Sequence, residues 1–103
     1  MNKVVHFEIP YENKERINKF YSEVFGWEMQ SFPLEGSEEG YTIVRTAETD
    51  ENHMIKEPGA INGGMFKRGE TENAPTSPVI TINVDSIDDH FEKIKASGGE
   101  VTV

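Results

Sequence analysis

Two stretches of this chain carry the same order of apolar and polar positions. Residues 4–9 (VVHFEI) alternate as a strand does, with Val5, Phe7 and Ile9 on one face and Val4, His6 and Glu8 on the other. Pro10 cannot donate to a ladder and is expected to close that strand. Asn13 then offers an N-cap, and Ile17, Phe20, Tyr21, Val24 and Phe25 recur at helical spacing. That stripe is expected to cover the Val5/Phe7/Ile9 face, and Gly26 supplies a left-handed stop. The second statement opens at residues 79–84 (VITINV), with Ile80, Ile82 and Val84 opposed to Val79, Thr81 and Asn83. Ser86-Ile87-Asp88-Asp89 reads as a capping box with an acid at the third helical position. Ile87, Phe91 and Ile94 form a thinner apolar stripe, ended by Gly98-Gly99.

Between the two lie further strand signals. Residues 27–32 and 41–46 read as strands, separated by a turn region over 33–40. Residues 47–59 are polar and acidic and read as a loop. Residues 60–66 follow as a fourth strand, in which Gly63-Gly64 signals a bulge or a close approach to the backbone. Laying His6 on Val79 puts Glu8 on Thr81, Ile9 on Ile82 and Gly26 on Gly99, a match better explained by duplication than by chance. The organisation expected is one domain: a first βαβββ module over 1–67, a linker over 68–78 and an incomplete second module over 79–103. In that second module residues 100–103 look like the start of one more strand. The sequence then describes either a shortened domain or one whose sheet another chain completes.

Composition narrows the function classes. With 19 acidic against 10 basic residues the formal net charge is −9, which argues against nucleic acid or an anionic membrane surface as partner. There is no cysteine, which removes disulfides, thiolate zinc sites and cysteine nucleophiles. Neither a signal-peptide stretch nor a membrane span is visible, and a cytoplasmic location is expected. Gly59, Gly63, Gly64 and Gly69 fit no phosphate-binding spacing, and no serine sits in a nucleophile elbow.

The order strand–helix–three strands, then strand–helix–strand, together with F-Y-S-E-V-F-G-W closing the first helix, resembles the vicinal oxygen chelate superfamily. That group includes glyoxalase I, bleomycin resistance proteins and extradiol dioxygenases. The H-F-E-I-P opening and the G-G-M-F-K-R fourth strand look most like its small glyoxalase-like members. The resemblance implies an α+β fold of paired βαβββ modules, with the second truncated here after its helix. It also implies a cleft for a small molecule, often with a divalent metal, and a homodimer. An open sheet edge calls for a partner as well.

By the same resemblance, His6, Glu8, Thr81 and Asn83 would line the cleft, and His6 falls at the first metal-ligand position. The second module's matching histidine position holds Val79, the fourth strand offers only Asn62, and the remaining glutamate would lie beyond Val103. One imidazole is too few for a divalent ion, which needs three or four ligands. The residues themselves therefore call for no cofactor, with a divalent metal kept as the alternative. His6 reads as a metal ligand, a ligand-facing hydrogen-bonding group or a partly buried, hydrogen-bonded imidazole. Glu8, on the same face, reads as a general base, an orienter of His6 or an exposed strand carboxylate. Trp27, Met29, Phe32, Tyr41 and Met65 are candidate pocket walls, with Trp27 and Met65 taken as ligand-binding; at least half of the five are expected to be ordinary core instead. Two functions stay in view. One is a small-molecule-binding protein with an incomplete metal site. The other is a metal-dependent lyase, isomerase or dioxygenase acting on vicinal oxygens. A subunit devoted to association is a third.

Overall fold

The computed structural model describes residues 1–70 and 75–102. The chain runs β1 (Val4–Tyr11), α1 (Lys14–Phe25), β2 (Glu28–Leu34), β3 (Ser37–Arg45), β4 (Gly63–Lys67), β5 (Val79–Ile82) and α2 (Ile87–Ala96). The five strands form one mixed sheet in the order β2-β3-β4-β1-β5. β1 and β4 are parallel, and the other pairs are antiparallel. This is a βαβββ module followed by the strand and helix that open a second. Among the described residues no helix is long and apolar enough to cross a membrane.

α1 begins where its cap dictates. The Asn13 side chain accepts from the Arg16 backbone N–H, and Gly26 ends the helix at φ 73°, returning its own N–H to Ser22. Ser86 caps α2 in the same way through Asp89. Asn13→Ala is expected to cost about 1 kcal/mol in urea unfolding with an unchanged m-value; no loss would mean that tertiary contacts alone hold the helix start.

Several boundaries differ from the sequence reading. Pro10 does not end β1 but pairs with Phe66 of β4. Arg68 N–H donates to the Tyr11 carbonyl, so the odd residues of β1 turn their backbone groups toward β4. Pro10 therefore turns its missing donor to the β5 side, beyond Glu8–Val79, the last β1–β5 pair, where no partner is deprived. Residues 33–40 are not one turn: β2 and β3 extend through them, Leu34 pairs with Ser37, and Gly36 turns at φ 84°. Their polar composition reflects two exposed strand ends rather than absence of strand. β4 starts at Gly63 instead of residue 60, and its register is continuous, so Gly63-Gly64 makes no bulge. β5 stops at Ile82, and residues 100–102 form no strand; residue 103 and residues 71–74 of the expected linker lie outside the described residues.

The core lies on the α1 side of the sheet. Tyr11, Val44 and Met65 are its fully buried apolar residues, with Phe7, Ile9, Ile17, Tyr21, Trp27 and Met29 packed around them. Trp27 stacks on Tyr21 at 4.6 Å between ring centroids, nearly parallel, and meets Phe7 at 5.8 Å. The helix stripe covers the sheet only in part. Ile17 and Tyr21 seat on it, whereas Phe20, Val24 and Phe25 remain exposed. At 100° per residue Phe20 and Phe25 flank the Ile17–Tyr21 line on opposite sides, so a single helix cannot bury them all.

The β1–β5 pairing has the symmetry that a local twofold requires. His6 pairs with Thr81, Phe7 with Ile80, and Glu8 with Val79. The sequence alignment places His6 on Val79 and Glu8 on Thr81, so each position pairs with the counterpart of the other. Phe7 pairs with its own counterpart, Ile80, and the axis passes between them.

Candidate functional site

β1, β3 and β4 together build one polar cluster on the face away from α1. Strand alternation sends His6 and Glu8 from β1 to that face, and the in-register neighbour of Glu8 on β4 is Gly64. Gly64 in turn pairs with Ile43 on β3. Tyr41, two residues before Ile43 on β3, lays its ring over Gly64 and reaches β1. Its hydroxyl donates to Glu8 Oε1 at 2.9 Å and lies 3.2 Å from His6 Nε2. His6 Nε2 is 3.6 Å from the same carboxylate oxygen. The imidazole and carboxylate are about one-third exposed, so the cluster is open to a ligand from above.

Gly64 makes this possible. A Cβ there would fall on the Tyr41 hydroxyl and its ring carbons. Gly63 serves the opposite face in the same way, where a Cβ would lie 2.7 Å from the Phe7 ring. The close approach signalled by the glycine pair is thus made by the protein's own aromatic rings, one on each side of β4.

The structure divides the other candidates. Thr81 stands beside His6 on β5, and Val79 beside Glu8. Asn83 lies past the end of β5; its backbone N–H donates to the Lys3 carbonyl. Phe32 pairs with Tyr41, which puts both on the His6 face together with exposed Ile43. Met65 and Trp27 are not on that face. Met65 is 0% exposed beneath α1, and Trp27 is stacked against Tyr21 there. Both were expected as pocket walls. Met65 follows Gly64 by one residue, and one step along a strand reverses the face. Arg45 at the end of β3, not among those candidates, pairs with Glu28 at 3.0 Å.

Burial, then the hydrogen bond and charge of Glu8, push the Tyr41 phenol above its ordinary value and keep it a donor. On the other face, burial followed by the Glu39 and Glu70 carboxylates pushes the Tyr11 phenol up to about 12. A raised phenol stabilises the fold fully below the ordinary value of 10.0, and that stability is lost as pH climbs toward about 12. In an alkaline titration followed by tyrosinate absorbance and circular dichroism, late-ionising phenol should therefore appear together with unfolding. A complete tyrosinate change near pH 10 with the dichroism intact would contradict this burial.

A divalent metal fits these residues poorly. His6 Nε2 and Glu8 Oε1 are engaged with Tyr41, and Val79 has no donor atom. Asn62 Oδ1 is used by the backbone N–H groups of Thr46 and Ala47, at 2.8 and 3.0 Å, holding the start of the long loop. Among the described residues no three His, Asp or Glu side chains converge. His90 instead meets the Ser86 carbonyl through Nδ1 at 2.9 Å.

Residues 3–47, from the start of β1 to just past β3, match the bleomycin resistance protein-like N-terminal family. No curated protein matches the chain. This match, within the βαβββ topology around it, supports a glyoxalase/bleomycin-resistance-type fold for the first module.

Proposed function

We propose that this is a small-molecule-binding protein of the glyoxalase/bleomycin-resistance type that works without the full metal site of its superfamily. The observation that carries the reading is the Glu8–Tyr41–His6 cluster, a half-buried polar group on the same sheet face as exposed apolar Phe32 and Ile43. A few converging polar groups with apolar walls are what a ligand site needs. A concavity of about 510 Å³ lies elsewhere, between the end of β1 and α1, lined by residues such as Tyr11, Arg16 and Phe20. The His6 face is instead a floor whose facing wall is supplied by a second copy of the chain.

A fragment screen followed by amide NMR tests the reading. Hits are expected to shift Glu8, Tyr41, Ile43, Gly64 and Thr81. Hits confined to the Tyr11–Phe20 concavity would overturn it. So would a stoichiometric transition metal in the purified protein that is lost in His6→Ala, which would favour a metal-dependent enzyme. The second copy is tested separately by sedimentation equilibrium, where a monomer at all concentrations would refute it.

A further inference from the structure

The hydrogen-bond inventory of the cluster determines more than its position. A tyrosine hydroxyl has one proton, and an ionised carboxylate only accepts. Tyr41 spends its proton on Glu8 Oε1 at 2.9 Å, so toward His6 Nε2, 3.2 Å away, its oxygen can only accept. In a neutral imidazole that requires the proton on Nε2. The lone pair is then on Nδ1, which makes no hydrogen bond among the described residues.

We infer that Tyr41 is a positioning residue which fixes His6 as the Nε2–H tautomer, so that Nδ1 is the acceptor offered to the ligand and the site selects ligands bearing a hydroxyl or N–H donor. The order Glu8 carboxylate, Tyr41 hydroxyl, His6 Nε2–H runs one way only, because its acceptor end carries the charge. Reversing it would leave the carboxylate facing an oxygen lone pair. A ligand carbonyl or anionic oxygen meets an acceptor at Nδ1 and a carboxylate two residues away, and is disfavoured on both counts. This selectivity rests on the binding reading above; the tautomer itself does not.

The molecule carries its own control. His90 faces a carbonyl, which can only accept, so its neutral form must hold the proton on Nδ1. Long-range ¹H–¹⁵N spectra at about pH 8, above the ordinary histidine range, separate protonated from lone-pair ring nitrogens. His6 is expected to show a protonated Nε2 and a lone-pair Nδ1, and His90 the reverse. In Tyr41→Phe the His6 signals should move to the averaged positions of a tautomer mixture while His90 is unmoved. Glu8→Gln supplies a second variant, because a neutral amide can donate to Tyr41 and free its proton for His6. It too should produce averaging. A protonated Nδ1 on His6, or His6 signals identical in wild type and both variants, would overturn the inference. The spectra are taken on the protein alone, so a failed fragment screen leaves this result standing, and the reverse also holds.

Discussion

Gly64→Ala should disable the candidate site and destabilise the fold together, although it adds only one methyl group. The methyl would lie on the Tyr41 hydroxyl and 2.9 Å from ring carbon Cε2. The backbone of β4 cannot retreat, because it is paired on one side to β1 and on the other to β3. The ring must therefore swing away, and with it go the bonds to Glu8 and His6. Overpacking of this kind costs about 1–3 kcal/mol. Loss of a hydrogen bond to a charged acceptor adds about 1.5–3 kcal/mol. The mechanism is checked by urea unfolding of Gly64→Ala, Tyr41→Ala and the double variant. Once the ring is gone the methyl has nothing to strike, so the double variant should be nearly as stable as Tyr41→Ala alone. Additive losses would place the cost of the methyl in the strand rather than at the ring.

The same glycine shows what could be read from the chain and what could not. That something approaches the backbone at Gly63-Gly64 follows from glycine in a strand. What approaches follows only from the register of three strands. Tyr41, Gly64 and Glu8 are separated in sequence by loops whose lengths do not fix pairing, so no local pattern announces their meeting. The alternation of residues 4–9 was sufficient to place His6 and Glu8 on one face, since that inference needs no neighbour. Thr81 follows from it once β5 is recognised as a counterpart of β1. Residue type alone could not divide the candidate pocket walls from the core. Of five aromatic and thioether candidates, Phe32 and Tyr41 share the His6 face, while Trp27, Met29 and Met65 pack beneath α1. For Met65 the reversal follows from strand parity only once the register is known, because His6 and Glu8 lie on the even face of β1 and Glu8 pairs with Gly64. Without the register, parity on β4 had no reference.

The aromatic run F-Y-S-E-V-F-G-W carries a second lesson about what patterns mean. Its spacing identifies a helix and its stop, and both are where the sequence puts them. Its apolar content suggests a helix buried along its whole stripe, yet Phe20, Val24 and Phe25 are exposed. Ile80 and Ile82 on β5, and Ile87 and Ile94 on α2, are exposed as well. So much uncovered apolar surface leaves the burden of stability on a small core.

That burden makes Met65→Ala the other substitution with a large expected effect, a loss of about 2–5 kcal/mol. Met65 sits on β4, the middle strand of five, between Ile9 of β1 and Thr42 of β3, and none of its surface is exposed. Among the described residues only Val44, equally unexposed, and Tyr11, at 3%, join it as buried apolar side chains. A domain of this size has a total stability of about 5–15 kcal/mol. Losing Met65 should therefore leave a measurable unfolded fraction in water, seen as a lowered urea midpoint with little change in slope. Phe20→Ala, which removes a larger side chain from exposed α1, should change stability by no more than about 0.5 kcal/mol in the monomer. Met65→Leu keeps the volume and should cost less than about 1.5 kcal/mol. It also decides whether Met65 has any part in binding. The folded Met65→Leu protein should show the same His6 tautomer and the same fragment shifts at Glu8, Tyr41 and Thr81 as wild type. A changed fragment set would mean that the methionine reaches the ligand after all, which its place beneath α1 does not allow.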